Sequence, residues 1–254
     1  MALSLSQTAY LSDILKPGMR VASFGYPDII ASHDVIEKWL NHDLVSLDYR
    51  KDSEAICKRH GLRNTLIPDA ESLFKCLKCD LDVYDIVRER GCEHLCDLNF
   101  PLPMDKFPNL IYAGYDIVLD VGTAEHCFNI GQALINMADM AKEGGYIIHE
   151  NPFNCGNHGF YNLNPTLFHD FYGQNGFDVM ECMLVTRDGR QATVPHAARF
   201  KFVAEELNVF CVARRTAIKP FVFPVQSKYA HSIPAAGERA NVTPTHRATG
   251  EAHG

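Results

Sequence analysis

The stretch from Tyr115 to Gly176 constrains the fold of this chain more than any other part of the sequence. It opens with a short apolar run, Ile117 to Leu119, that ends in Asp120. A polar loop, an amphipathic segment and a Gly-Gly turn follow, and a second apolar run covers Tyr146 to His149. Apolar runs that alternate with a helical segment are typical of parallel strands in an α/β sheet. Because such sheets bind ligands at the carboxyl ends of their strands, the stretch favours an enzyme over a scaffold.

The rest of the chain continues the alternation of strands and helices and predicts a doubly wound α/β sheet with a hairpin-like far edge. Further strands are predicted at 20–24, 44–47, 93–96, 177–186 and 207–214. Further helices are predicted at 8–15, 32–40, 53–60, 70–78, 83–90 and 165–175. We expect one domain over residues 1–231 and a disordered tail over 232–254, where Pro, Ala, Thr and Gly accumulate.

Composition excludes several classes of function. The formal net charge is −7 and the pI is near 5.9, so the chain lacks the basic surface that general nucleic-acid binding needs. No apolar run approaches the roughly 20 residues that span a bilayer, so no membrane association is expected. The N-terminus is a poor secretion signal and the nine cysteines are an odd number, which predicts reduced thiols in a cytoplasmic protein.

Several motifs resemble those of the class I S-adenosylmethionine-dependent methyltransferases. They are Asp120 to His126, the Gly144-Gly145 turn and the run His158 to Tyr161, and the resemblance extends over about residues 16–215. It implies a Rossmann-like sheet of seven mostly parallel strands with an antiparallel last strand. It also implies that the chain is an enzyme, a transferase, with S-adenosylmethionine as its cofactor. Within the class, the sequence looks most like methyltransferase-domain proteins of bacterial surface-glycan gene clusters, which act in polysaccharide biosynthesis.

The resemblance assigns cofactor-binding residues to the ends of four strands. The turn after the first strand is Phe24-Gly25-Tyr26-Pro27-Asp28, with one glycine where the family usually has two or three. The ribose carboxylate after the second strand maps to Asp48, whose alternative role is a strand-end or helix-cap residue. The full predicted set is Gly25, Tyr26, Asp28, Asp48, Asp97, Leu98, Asp120 and Gly122. Asp97 and Leu98 would contact adenine, although Asp97 is equally expected in a simple Asx-turn.

The strand-end loops also supply candidate catalytic and acceptor-binding residues. Methyl transfer to a hydroxyl or amine needs a group that removes a proton, and the candidate bases are His126, His149, Glu150 and His158. The catalytic set predicted from them is His126, His158 and Glu150. Hydrogen-bonding side chains for a small polar acceptor are Asn151, Asn154, Asn157 and Tyr161. Their density suits a sugar, a nucleotide-sugar or a phosphate-bearing metabolite, and their alternative role is to satisfy the backbone of a long loop.

Three further hypotheses concern the function of the chain, and a fourth point concerns its oligomeric state. The chain is a non-catalytic binding or assembly module if the single-glycine turn no longer admits the cofactor. Zinc binding is suggested by two short-spaced groups, Cys76/Cys79 and Cys92/His94/Cys96, although the predicted site set contains no metal ligand. A nicotinamide-dependent enzyme would need a GxGxxG motif, which FGYPDI does not provide. Finally, the aromatic, Pro-rich segment Lys219 to Tyr229 is expected to pack either across the sheet or against an adjacent subunit, and in the second case the protein is a homodimer.

Overall fold

The computed structural model describes residues 2–31, 33–40, 46–63, 65–102, 113–186, 188–196, 199–201 and 205–232. The strands are β1 Ala2–Leu3, β2 Arg20–Phe24, β3 Asp28–Ile29, β4 Asp80–Asp85, β5 His94–Leu95, β6 Tyr115–Asp120, β7 Ala141–Pro152, β8 Phe177–Val185, β9 Gln191–Thr193 and β10 Asn208–Arg215. The helices are α1 Leu5–Ile14, α2 His33–Trp39, α3 Ser53–His60, α4 Ala70–Cys76, α5 Ile130–Met140 and α6 Pro165–Gln174, with 3₁₀ turns at Ala124–His126 and Ser227–Ser232.

One eight-stranded sheet organises the fold, in the order β5-β4-β2-β6-β7-β10-β8-β9. Strands β5, β4, β2, β6 and β7 are parallel neighbours. Strand β10 is antiparallel to both β7 and β8, and the short β9 adds an antiparallel edge beside β8. The predicted fold class is therefore confirmed: the sheet is mostly parallel, its last strand in chain order is antiparallel, and β9 extends it.

The second strand of the sheet is not where the sequence predicted it. Residues 44–45 of the predicted strand 44–47 lie outside the described residues, and Ser46 and Leu47 are not in a strand. The second sheet strand in chain order is β4, which occupies part of the predicted helix 83–90. Its residues Val83 and Tyr84 are buried because β4 lies between β2 and β5. That helix prediction was wrong, since pairing with β2 decides the conformation of this segment.

Two apolar layers cover the faces of the sheet. One face packs against α5 and α6 through side chains that include Leu134, Met137 and Phe168. The other packs against α1 and α4 through Leu11, Leu73 and Phe74, among others. Strand β6 contributes to both layers, as its buried residues alternate between the two faces. Packing between the two helical layers holds the central strands in place, and the strands in turn position the loops at their carboxyl ends.

The segment after β10 packs along α6. Phe221 lies against Phe171, with ring centroids 6.0 Å apart. The side chains of Gln174 and Asn175 hold the backbone of this segment at Val225 and Val222. The predicted tail from 233 onward lies outside the described residues. Among the helices that the structure describes, none has the length and apolar character needed to cross a bilayer.

Candidate active site at the carboxyl ends of the parallel strands

Asp120, the last residue of β6, is the centre of a buried polar network. Its Oδ1 accepts hydrogen bonds from the backbone N–H groups of Thr123 (2.9 Å) and Ala124 (3.2 Å). Its Oδ2 lies 2.8 Å from Nδ1 of His149 and accepts a 2.8 Å hydrogen bond from the Asn151 amide. Burial alone would raise the pKa of Asp120, but the partner His149 and these donors outweigh it and lower the pKa. The carboxylate is therefore held charged and fixed in place.

Strand β7 supplies His149 and Asn151 to this network because alternate residues of a strand point to the same face. His149 is fully buried and is fixed from its other side, where Nε2 is hydrogen-bonded to the Tyr172 hydroxyl of α6. Asn151 donates to Asp120 and also to Oε2 of Glu125 at 3.0 Å. Asn151 therefore links β6, β7 and the turn that contains Glu125.

Glu125 is a second buried carboxylate that the sequence did not single out as a site residue. It lies in the 3₁₀ turn Ala124–His126, and its side chain is fully buried. Burial, together with the charge of Asp120, raises its pKa to about 7. While Oε2 is bound by Asn151, Oε1 is buried and makes no hydrogen bond within the part of the chain that the structure describes.

The backbone around Glu125 is clamped by the His158 to Tyr161 run. The Phe160 N–H donates to the Glu125 carbonyl at 2.9 Å. A Cβ at Gly159 would lie 2.9 Å from the same carbonyl oxygen, so only glycine allows this approach. Gly122 has φ +85°, and a Cβ there would lie 3.3 Å from Oε1 of Glu125. The runs Asp120 to His126 and His158 to Tyr161 therefore contact each other at Glu125.

His126 and His158 are brought together at this point, as neighbours of Glu125. Their ring centroids are 5.3 Å apart, and each side chain is about half exposed, at 49% and 52%. Their Nε2 atoms lie 3.9 Å and 3.5 Å from Oε1 of Glu125. Burial lowers the pKa of His126, and the neighbouring His158 lowers it further. These two candidate bases therefore lie side by side at the protein surface, next to Oε1 of Glu125.

Glu150, the third predicted catalytic residue, lies apart from the histidine pair. It follows His149 in β7, and alternation turns its side chain to the opposite face. There one carboxylate oxygen accepts from Ser4 and the other from the Asn208 amide at 3.1 Å. Burial raises its pKa. These contacts tie the N-terminal cap of α1 to the sheet.

The three predicted cofactor residues in the turn after β2 make different contacts. Gly25 has φ +90°, and its N–H donates to the Tyr84 carbonyl at the end of β4. Tyr26 instead donates its hydroxyl to Asp69 at 2.7 Å. Asp28 is buried in β3 and lies 3.6 Å from Arg50. Of the three, Gly25 alone occupies the left-handed conformation at the strand end that brings backbone close to a ligand.

Asp48 does not follow a strand of the large sheet, and the carboxylate at the end of the second strand of that sheet is Asp85. Asp48 is exposed, and its backbone N–H donates to the Ser72 hydroxyl of α4. The second strand of the sheet ends in Asp85, next to Tyr84, which is paired with Phe24. Asp85 was missed because its segment reads as a helix, although alternation in DLDVYD was a usable signal.

Asp97 and Leu98 follow β5, the third strand of the sheet. Oδ1 of Asp97 accepts from the backbone and side-chain amides of Asn99 at 2.9 Å and 2.7 Å. This is the Asx-turn that the sequence allowed as an alternative to a cofactor role. Both of these hydrogen bonds go to Oδ1, and neither goes to Oδ2. Leu98 is buried, and its carbonyl accepts from the Asn136 amide.

Three of the four predicted acceptor-binding residues are engaged inside the protein. Asn151 belongs to the Asp120 network, and Asn154 donates to the Glu205 carbonyl and accepts from the Leu207 N–H. Tyr161 donates its hydroxyl to the Phe128 carbonyl at 2.8 Å. Asn157 is exposed with φ +55°. The first three therefore shape the loop.

The predicted cysteine groups do not converge on one point. The Cys76 thiol is directed to the Ser46 carbonyl and the Cys79 thiol to the Lys16 carbonyl. Among the described residues, the group of three His, Cys, Asp or Glu side chains that lies close enough to share an ion is Glu125, His126 and His158. The structure therefore gives no support to zinc at the cysteines.

A surface cavity of about 640 Å³ lies next to the end of β7 and the start of α6. Phe153, just after β7, forms one wall, and Thr166 and Asp170 of α6 form another. Arg199 and Phe200 border it from the connection between β9 and β10. The cavity is large enough for a small metabolite.

Comparison with known proteins gives distant structural similarity only. No family model matches the sequence, and no curated protein matches it. Similar solved structures include an S-adenosylmethionine-dependent methyltransferase from Aquifex aeolicus, with 12% identity, a TM-score of 0.43, and coverage of 83% of this chain and 91% of that one. The 1,6-didemethyltoxoflavin-N1-methyltransferase of Burkholderia thailandensis, bound to its substrate and S-adenosylhomocysteine, has 14% identity, a TM-score of 0.42, and coverage of 83% and 76%.

A variant of the 16S rRNA (adenine(1408)-N(1))-methyltransferase of Catenulisporales acidiphilia is also similar, with 11% identity, a TM-score of 0.41, and coverage of 86% and 96%. These neighbours are methyltransferases of both small molecules and rRNA. Because the identities and scores are low, the function of this chain has to be argued from its own residues.

Proposed function

We propose that this chain is a methyltransferase that uses S-adenosylmethionine and acts on a hydroxyl or amine of a small polar acceptor. The observation that carries the proposal is the set of groups at one edge of the sheet. Gly25, Asp85, Asp97 and Asp120 lie at or just after the ends of β2, β4, β5 and β6, and these four strands are neighbours in the large sheet. Their carboxyl ends therefore meet at the edge where open α/β sheets bind ligands.

The residues at this edge fit the cofactor. A carboxylate accepts hydrogen bonds from both hydroxyls of a ribose, and Asp85 provides one beside Gly25. Gly25, in its left-handed conformation, leaves room for the methionine end to approach the backbone. Leu98 and Asp97 supply an apolar wall and an acceptor for the adenine amine, and Gly122 continues the surface beside Asp120.

Methyl transfer asks the protein mainly to position two reactants and to remove a proton. When bound, the cofactor supplies an electrophilic methyl group, whose carbon bonds to the acceptor oxygen or nitrogen as its bond to sulfur breaks. His126 and His158 border the accessible end of the site, where they can receive the acceptor proton. Asp120 orders the loop that presents them, because it fixes the N–H groups of Thr123 and Ala124.

The acceptor is proposed to be a sugar, a nucleotide-sugar or another phosphate-bearing metabolite. The cavity between α6 and Arg199 supports this choice, since it offers aromatic walls and a basic side chain near the strand ends. A surface-glycan precursor is the finer form of the same proposal. The net charge of −7 favours a small acceptor over RNA.

A pair of matched substitutions tests the cofactor site. Asp85→Asn should weaken binding of S-adenosylhomocysteine about 10- to 100-fold, since it removes the charge from a hydrogen-bonded pair worth about 1.5–3 kcal/mol. Asp48→Asn, at the exposed position that the sequence favoured, should leave the affinity unchanged. Isothermal titration calorimetry of the two variants and the wild type measures both.

Equal affinities for wild type and Asp85→Asn would remove Asp85 from the cofactor site. Absence of binding to the wild type at millimolar ligand would instead favour the non-catalytic module.

A further inference from the structure

The cluster of Glu125, His126 and His158 has the composition of a metal site. One carboxylate oxygen of Glu125 and one ring nitrogen from each histidine lie within 4.8 Å of one another. We propose that these three side chains bind one divalent transition-metal ion, such as Zn²⁺, Co²⁺ or Fe²⁺, at the carboxyl edge of the sheet.

The distances suit a shared ion after a small adjustment of exposed groups. Ligands bound at about 2.1 Å in a tetrahedral arrangement are about 3.4 Å apart. Oε1 of Glu125 lies 3.5 Å from Nε2 of His158 and 3.9 Å from Nε2 of His126. Both imidazoles are about half exposed, so their rings can rotate to bring the three ligand atoms, which lie within 4.8 Å of one another, to this spacing.

The carboxylate is positioned in advance, which is the second observation that points to a ligand. Glu125 is fully buried, its Oε2 is bound by Asn151, and its Oε1 faces the two histidines without a hydrogen bond within the described residues. A buried carboxylate oxygen without a donor is costly unless something neutralises it. A cation between Oε1 and the two imidazoles would do so.

The contacts around the cluster are of the kind that hold metal ligands in place. Asn151 orients the carboxylate, and the Phe160 N–H fixes the backbone of Glu125. Outer partners of this kind orient metal ligands and sustain affinity. A set of two nitrogens and one oxygen favours borderline ions over Mg²⁺ and Ca²⁺, which prefer oxygen ligands.

The half-exposed histidines leave one side of the cluster open to solvent. An ion held by three protein ligands keeps a position for an outside oxygen, as catalytic zinc sites do. In methyl transfer, that position would take the acceptor hydroxyl and lower its pKa. With the ion bound, His126 and His158 would act as ligands, and the ion would replace them as the group that promotes loss of the acceptor proton. This role rests on the proposed function, whereas the ion site itself does not.

Metal binding to tag-free, chelator-stripped protein tests the inference. Titration with Co²⁺, followed by visible absorption, and with Zn²⁺, followed by calorimetry, should each saturate at about one equivalent. His126→Ala and His158→Ala should each weaken binding at least 10-fold. Glu125→Gln should do the same, but the two histidine variants carry the test because their exposed positions leave the fold intact, which thermal melting verifies.

His196→Ala is the matched control. His196 stacks on His169 and lies 3.2 Å from Asp170, so it is a surface histidine with another imidazole and a carboxylate nearby. Its removal should leave binding unchanged. Wild-type protein that takes up no stoichiometric Co²⁺ or Zn²⁺, or uptake that survives both single variants of the cluster, would overturn the ion site.

Calorimetry with S-adenosylhomocysteine on the same samples separates this inference from the proposed function. Metal uptake without nucleoside binding would keep the ion site and reject methyl transfer. Nucleoside binding without metal uptake would reject the ion site and leave the proposed methyl transfer standing.

Discussion

Asp120 and Glu125 show how neighbouring buried carboxylates acquire opposite properties. Asp120 is surrounded by donors and by His149, and its pKa is lowered. Glu125 shares the Asn151 amide, receives little else, and has its pKa raised to about 7 by burial and by the charge of Asp120. One group is therefore a fixed anion, and the other is poised to change its charge or its partner.

The sequence predicted part of this arrangement. Asp120 ends an apolar run, so its place at a strand end could be predicted locally. His126 and His158 were predicted as separate candidate bases because they lie in strand-end loops, and their contact with each other was not predicted. The burial of Glu125 could not be read in this way, because it depends on Gly159 and Phe160 folding back onto the turn. Long-range contacts of this kind leave no periodic signal.

Glu93 supports a prediction about acid stability. It is almost fully buried, and its carboxylate accepts from the backbone N–H groups of Arg90 (2.7 Å), Gly91 (2.8 Å) and Glu89 (3.2 Å). Burial would raise its pKa, but these hydrogen bonds outweigh burial and lower the pKa. Glu93→Gln should therefore reduce the free energy of unfolding at neutral pH by about 1–3 kcal/mol.

The sign of the pH dependence follows from the lowered pKa. The contribution of the Glu93 charge is fully present above the unfolded-state pKa of about 4.3 and is lost as the pH falls through the lower folded-state pKa. Urea unfolding from neutral to acidic pH should show the wild type and Glu93→Gln converging at the acidic end. Glu89→Gln, at an exposed side chain, should show no such loss at neutral pH. A constant gap at all pH values would contradict this account.

At the scale of elements, local signals located most helices and central strands correctly. Strand β2, helix α3 and the start of helix α6 lie where Arg20–Phe24, Ser53–His60 and Pro165 placed them. The failure at β4 has a specific cause, since the segment is stabilised by pairing with β2 and β5 rather than by its own pattern. Because the second sheet strand was predicted at 44–47, the ribose carboxylate was predicted at Asp48, whereas the strand that the structure shows ends in Asp85.

The turn between α6 and β8 yields a prediction about backbone conformation. Gly176 has φ +82°, and a Cβ there would lie 2.5 Å from the Ala217 carbonyl oxygen. Gly176→Ala should therefore destabilise the protein by about 1–3 kcal/mol, measured as the free energy of unfolding in urea.

Gly173 provides the matched control in the same element. It is exposed near the end of α6, and nothing lies within 4 Å of a Cβ there. Gly173→Ala should stabilise the protein by up to about 1 kcal/mol through helix propensity. Equal effects of the two substitutions would contradict the assigned turn.

At the scale of the whole molecule, one sheet edge collects the groups that matter for chemistry. The parallel strands β2, β4, β5 and β6 end together, and the loops after β6 and β7 meet at Glu125 and His158. Helices on both faces hold these strands in place through two apolar layers. In the proposed function, the cofactor, the acceptor and the ion would therefore all bind at the carboxyl ends of these strands.

A crystal structure of the protein with S-adenosylhomocysteine tests the central claim most directly. We predict the nucleoside at the carboxyl ends of β2, β4, β5 and β6, with the ribose hydroxyls within hydrogen-bonding distance of Asp85 and the methionine end beside Gly25. Electron density for the ligand elsewhere, or a ribose that contacts Asp48 instead of Asp85, would contradict the account.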